Sequence, residues 1–438
     1  MSSAGKILQL DTAGSFDFYT CAISLDAVHP ESFARLRMIN DARQPDTART
    51  AEEFHAHDSI MPLIAHEYTH FIDATSTCWG LHHLTLLDNA YRAATSRKER
   101  EFHHLKALDN HLRALRLPAY YRTVAKDVKA TREWGYVVTI GRRFTANGHL
   151  DAAPPIPFCT FHTKDRQHLA RAPISVLSLL ETSAMAQEIQ SRLLALKDLA
   201  GAEGQVERRM QSEKALRYLY DHTITEYSVC AHLVANYQGC ADIYLAYTLA
   251  GMLSRFTLDF PCSGFQLLAD SPALNGLFGV HDAHDYIKAV RDGLRVGDRG
   301  MLYYVIVCAL PPDAAESIDV MGGALRFAIE RLGLKMEEVR DGALAEGQAL
   351  AAQVLVSPSA ALRSLGSAGY RNQSKIGQTS LRLDFNVLQL PQAMLADCES
   401  HSIFDSDANE LGRHSVDFFF DGLQPLERTT AEFAEACI

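Results

Sequence analysis

The period of the apolar positions changes several times along the chain, and each change marks a different kind of element. Residues 6–10 and 15–25 gather β-branched and aromatic side chains between Gly and Asp punctuation, which predicts strands near the start. A polar connection over 40–50, with Pro45 inside it, leads into helical spacing. There Ile60, Leu63, Ile64, Tyr68 and Phe71 form an apolar stripe on a helix predicted over 58–73. Asp58 or Ser59 can cap this helix, and Pro62 falls in its first turn, where a missing N–H costs little. Residues 81–130 read as helical and polar, broken near Pro118.

Strand patterns then take over at 136–144 and 156–162, around the Asn147-Gly148 turn signal and Pro154-Pro155. Helices are expected over 173–199, where residues 201–204 stop the pattern, and over 206–237 and 241–256. Past Asp259-Phe260-Pro261-Cys262 the helices shorten, with 314–332 and 344–356 the clearest. No repeat of fixed period and no low-complexity tract occurs. These patterns predict an α+β fold, predominantly helical, with a small antiparallel sheet shared by the N-terminus and the central ribbon. They divide the chain into 1–260, with a helical insertion at about 80–130, and a mainly helical 261–438. The boundary is weakly marked, and the two parts equally fit one shared core.

Composition narrows the classes. At 47% hydrophobic and 22% charged, the chain has the makeup of a folded globular protein. A net charge of −11 argues against a general nucleic-acid or anionic-membrane binder. The basic run Arg97-Lys98-Glu99-Arg100 carries a Glu and reads as a solvated helix face. No secretory signal pattern opens the chain, and its longest apolar stretches, such as 301–310, are too short to span a bilayer. Nine cysteines without a CxxC pair suggest reduced thiols, so a cytoplasmic protein without a membrane or nucleic-acid partner is expected.

The chemistry concentrates in His66-Glu67-Tyr68-Thr69-His70. Residues four apart stack on one helix face, so His66 and His70 can bind one metal ion through neutral imidazoles, which suit Zn²⁺. Glu67, one position on, is directed at a water on the metal rather than at the metal, and is the candidate general base. Such a set performs metal-assisted hydrolysis, most often of a peptide bond.

Ile64-Ala65-His66-Glu67-Tyr68-Thr69-His70 resembles the active-site helix of the HExxH zinc metallopeptidases, above all the thermolysin-like gluzincins. The resemblance implies a zincin-like catalytic domain holding one Zn²⁺ per chain, with His66 and His70 as ligands, Glu67 as base, and a peptide or protein as substrate. The extended metzincin pattern is absent, since Asp73 stands in place of its Gly and Ser76 in place of its third His. In gluzincins the third ligand is a Glu on a later helix, followed by small residues. Leu179-Leu180-Glu181-Thr182-Ser183-Ala184-Met185-Ala186 matches that description, and a carboxylate among apolar residues needs a partner. Glu181 follows His70 by 111 positions, a longer gap than in thermolysin-like enzymes. Glu188, two turns along the same face, competes with it, and Asp73, Glu99 and Glu101 are nearer candidates.

His222, Tyr227 and His232 are candidates for stabilising an oxyanion, and the ribbon over 136–162 could offer an edge strand to an extended peptide. Two further classes compete. A ferritin-like di-iron protein would use Glu67/His70 and Glu101/His104, with Glu181 and Glu226. A non-catalytic binding protein on the same scaffold would hold metal without turnover. The histidine groups at 55 and 57, 82 and 83, 103 and 104, and 281 and 284 read as exposed or hydrogen-bonded.

Overall fold

The computed structural model describes residues 13–43, 47–115, 117–126, 128, 132–142, 147–149, 154–199 and 201–436. The described residues begin with β1 (Ser15–Phe16) and β2 (Ile23–Ser24), then α1 (Pro30–Ala42), α2 (Ala51–Asp58), α3 (Met61–Thr75), α4 (Cys78–Ser96) and α5 (His103–Leu115). Next come β3 (Thr123–Val124), β4 (Gly135–Gly141), β5 (Ile156–His162) and β6 (His168–Pro173). Helices α6 (Val176–Lys197), α7 (Gly201–Leu219), α8 (Thr225–Gln238) and α9 (Ile243–Leu258) follow. After them run α10 (Cys262–Asp270), α11 (Ala273–Phe278), α12 (Asp285–Arg295), α13 (Arg299–Ala309), α14 (Ile318–Arg331), α15 (Met336–Val354) and α16 (Ala360–Lys375). The chain closes with β7 (Ala393–Met394), β8 (Ser400–His401) and α17 (Val416–Ala436). The fold is therefore α+β and predominantly helical.

Among the described residues the strands form two sheets rather than one. Strands β3-β6-β5-β4 are antiparallel throughout, with Tyr136 of β4 opposite Phe161 of β5. The N-terminal strands do not join them. In the order β1-β2-β7-β8, β2 runs parallel to β7, so Ile23 pairs with Ala393 near the other end of the chain. The predicted run over 15–25 is cut in two because the Asp17 carboxylate accepts the N–H groups of Tyr19 and Thr20 and turns the chain back. The strand expected at 6–10 lies outside the described residues.

The helix predicted over 58–73 is α3, shifted to Met61–Thr75, and a separate helix, α2, precedes it. Pro62 has no N–H to give the carbonyl of residue 58, and its ring crowds that turn, so α2 ends at Asp58 and α3 starts afresh at Met61. Asp58 does not cap α3, since its carboxylate accepts from Gln211 Nε2 at 2.9 Å. The helix predicted over 206–237 becomes α7 and α8, parted where the Asp221 carboxylate accepts the N–H of Thr223.

At the centre, α6 lies between α3 and α9. Ser175 caps α6, its hydroxyl accepting the N–H of Ser178. The approach of α9 depends on small residues, because a Cβ at Gly251 would stand 2.3 Å from that of Ala186. Tyr68 at the middle of α3 is fully buried and donates to the carbonyl of Pro391 at 2.8 Å, which ties α3 to the segment entering β7. One cluster of buried apolar side chains runs from Phe16 to Leu426. Asp259 accepts from the N–H of Cys78 and from Gln373 Nε2, so residues on both sides of position 260 share that interior. Every described cysteine is a free thiol, and among the described residues no helix is long and apolar enough to cross a membrane.

Candidate metal centre

Helix periodicity puts His66 and His70 one turn apart on the face of α3 that meets α6, with Nε2 atoms 3.1 Å from each other. Glu181 enters from the second turn of α6. One carboxylate oxygen is 3.6 Å from His66 Nε2 and the other 3.7 Å from His70 Nε2. One ligand atom from each of the three residues lies within 4.8 Å of the other two. Zinc bonds of about 2.0–2.2 Å in tetrahedral geometry separate neighbouring ligand atoms by about 3.3–3.5 Å. The three residues therefore fit a zinc ion in both donor chemistry and spacing.

His70 is 1% exposed and Glu181 4%, so water competes weakly for these groups. Burial holds the pKa of His70 well below its ordinary value, which keeps it neutral as a ligand must be. Burial pushes His66 the same way, but the carboxylates of Glu181 and Glu188 that face its two nitrogens, with the charge of Glu67, outweigh it and raise its pKa. The same cluster of three carboxylates provides a field that favours a divalent cation.

Glu188, the competing ligand candidate, is used differently. Its carboxylate meets Nδ1 of His66 at 3.1 Å, on the far side of the ring from the three converging atoms. Arg192 donates to its other oxygen at 2.7 Å. A carboxylate on the outer nitrogen of a ligand histidine fixes ring orientation and tautomer. Burial opposes ionisation of Glu188, yet His66 and Arg192 hold its pKa below the ordinary carboxylate value.

Glu67 is 6% exposed and stands outside the converging trio. Burial first, then the charges of Glu181, Glu188 and Asp26, push its carboxyl up to about 7 against the opposing pull of His66. Gly14, immediately before β1, backs directly on it. A Cβ there would lie 3.0 Å from Glu67 Oε1 and 3.2 Å from Cγ. This contact was not legible in the sequence beyond a glycine ahead of a strand. The strands that reach the motif helix are thus β1 and β2, whereas β4, the outer strand of the central ribbon, lies beside α12. Gly14→Val is expected to turn the Glu67 carboxylate away without changing metal content. A crystal structure of the variant with Glu67 unmoved would count against the contact. Where Glu67 acts on a substrate, a displacement of about 1 Å costs on the order of 10²-fold in rate.

The other candidates are occupied elsewhere. His222 pairs with the carbonyl of Ala125 at 3.0 Å. His232 pairs with that of Leu219 at 2.6 Å and stacks on Trp134. Tyr227 is buried within α8. Tyr218 of α7 and the buried Tyr247 of α9 feel the charge of the site carboxylates. Burial, Tyr247 and then the charges of Glu181 and Glu188 raise the pKa of Tyr218. Asp73, a nearer ligand candidate, stands outside the converging trio. It is fully buried, 3.5 Å from Arg255 Nε.

Glu99 is exposed, and Glu101 pairs with Lys98 and accepts from Ser96. Glu226 pairs with Arg122 at 3.0 Å. None of Glu101, His104 and Glu226 belongs to a group of described side chains able to share a metal. The second such group is Asp397, Glu399 and His401, a largely exposed cluster at the β7–β8 turn. No protein-family model matches the chain, and neither a curated protein nor a solved structure does.

Proposed function

We propose that the chain is a zinc-dependent peptide hydrolase. The observation that carries this reading is the meeting of Glu181, more than a hundred positions along the chain, with His66 and His70, while Glu67 stands beside the trio without entering it. His66, His70 and Glu181 would hold the metal. Zinc bound there would supply Lewis acidity and lower the pKa of a water in its fourth position toward about 7.

The chain's own residues account for the rest. Glu67, largely desolvated and with its carboxyl near neutral pH, takes a proton at its carboxylate and returns it to the leaving amine. Glu188, held by Arg192, keeps the His66 ring turned so that Nε2 faces the site. Gly14 leaves room for Glu67 to face inward.

Glu67→Gln tests the reading. The variant is expected to keep one zinc per chain by elemental analysis while cleavage of a degenerate fluorogenic peptide library falls below detection. Wild-type protein that retains no zinc, or a Gln variant that still cleaves, would overturn it.

A further inference from the structure

A cleft of about 390 Å³ lies on a different face of the α3–α6 pair from the metal ligands. Ala65 of α3 and Gln187 and Ser191 of α6 line it, positions turned well away from His66 and Glu181 at about 100° per residue. Its polar lining is weighted toward cations in a chain of net charge −11. Arg49, His57, Lys197 and Arg382 face Asp198 and Asp384.

The two acids are already engaged. Asp198 receives Arg43 Nη2 at 2.8 Å and Arg49 Nε at 3.5 Å, and Asp384 accepts from the N–H of Asn386. The Arg49 side chain is nine-tenths buried, and its Nη1 is enclosed without a partner. His57 is 9% exposed, and its Nδ1 is likewise enclosed and unpartnered. Lys197 and Arg382 are exposed at the rim and make no ion pair among the described residues. A desolvated guanidinium with unused donors is costly unless an anion meets it, and its planar fork matches an oxyanion.

We propose that this cleft is an oxyanion-binding site separate from the metal centre, taking a phosphate or carboxylate group between Arg49 at its buried end and Lys197 and Arg382 at its rim. The site does not depend on zinc or on peptide hydrolysis. Burial and the Arg49 charge push His57 down to about 4, so it contributes as a neutral ring, and the cationic attraction comes from the other three.

Calorimetry and thermal unfolding of the full chain with inorganic phosphate and with succinate, against sodium chloride at matched ionic strength, test this. Saturable binding and a raised Tm with either oxyanion, and not with chloride, are expected. Binding of phosphate alone identifies a phosphate site, and binding of succinate alone a carboxylate site. Arg382→Gln, at the rim, is expected to weaken binding by up to about fivefold, and Arg49→Gln, at the buried end, by about tenfold or more. His66→Ala, which removes a metal ligand, is expected to leave oxyanion binding unchanged. The proposal fails if neither oxyanion saturates, if chloride acts equally, if both arginine variants bind as wild type, or if His66→Ala abolishes binding.

Discussion

Glu181→Gln is expected to strip the chain of most of its zinc affinity, by well over 100-fold, while Glu188→Gln lowers it by about 10–100-fold and leaves a loaded site. The asymmetry follows from which nitrogen each carboxylate meets. Glu181 faces Nε2 of both histidines and supplies the only carboxylate of the converging trio. Glutamine keeps its length but gives up its charge, so two neutral imidazoles would remain to hold a dication. Glu188 touches only Nδ1 of His66, and its loss frees ring rotation and tautomer without removing a donor atom. Competition with a chromophoric chelator would give both constants. Equal losses would mean that Glu188 also coordinates, and a larger loss at Glu188 would reverse the assignment of the ligands.

This comparison also shows where the sequence is informative. The His66/His70 face follows from helical spacing alone, and Glu181 is marked by being a carboxylate inside a run of Leu, Thr, Ser, Ala and Met. Glu188 shares that helix face, so periodicity cannot tell which carboxylate faces Nε2 and which Nδ1. The depth at which α6 crosses α3 decides that. The junction of β2 with β7 is illegible for a different reason. Two-residue strands carry no alternation to detect, and the pairing joins Ile23 to Ala393 across nearly the whole chain. Gly14 is invisible because its importance lies in what stands against it. Pro62 was legible as a first-turn residue, but its power to end the preceding helix became apparent only where α2 and α3 part.

Arg255→Met is expected to destabilise the folded chain by about 3–5 kcal/mol near pH 7.5, because it leaves the Asp73 carboxylate buried and unpaired. Arg255 is 3% exposed, lies 3.5 Å from Asp73, and also donates to Ser183 Oγ at 3.3 Å and to the carbonyl of Ser380 at 3.2 Å. One guanidinium therefore ties α9 to α3 just beyond His70 and to α6 just beyond Glu181. Burial raises the Asp73 carboxyl from 3.8 to about 6, although Arg255 pulls the other way. A folded-state pKa above the unfolded value means that the native state binds the proton more tightly. Its stabilising contribution is full below pH 3.8 and is lost as pH rises through 6. Without Arg255 the folded-state pKa rises further, so the variant's deficit should shrink as pH falls from 8 toward 5. Asp73→Leu combined with Arg255→Met removes both charges and should recover most of the loss, as buried pairs replaced by apolar residues commonly do. Urea unfolding at pH 8 and pH 5 measures both effects, and a deficit that is flat with pH or purely additive in the double variant would show that the pair is not coupled. If the double variant folds but binds zinc more weakly, the guanidinium sets the spacing of the two ligand-bearing helices as well as their stability.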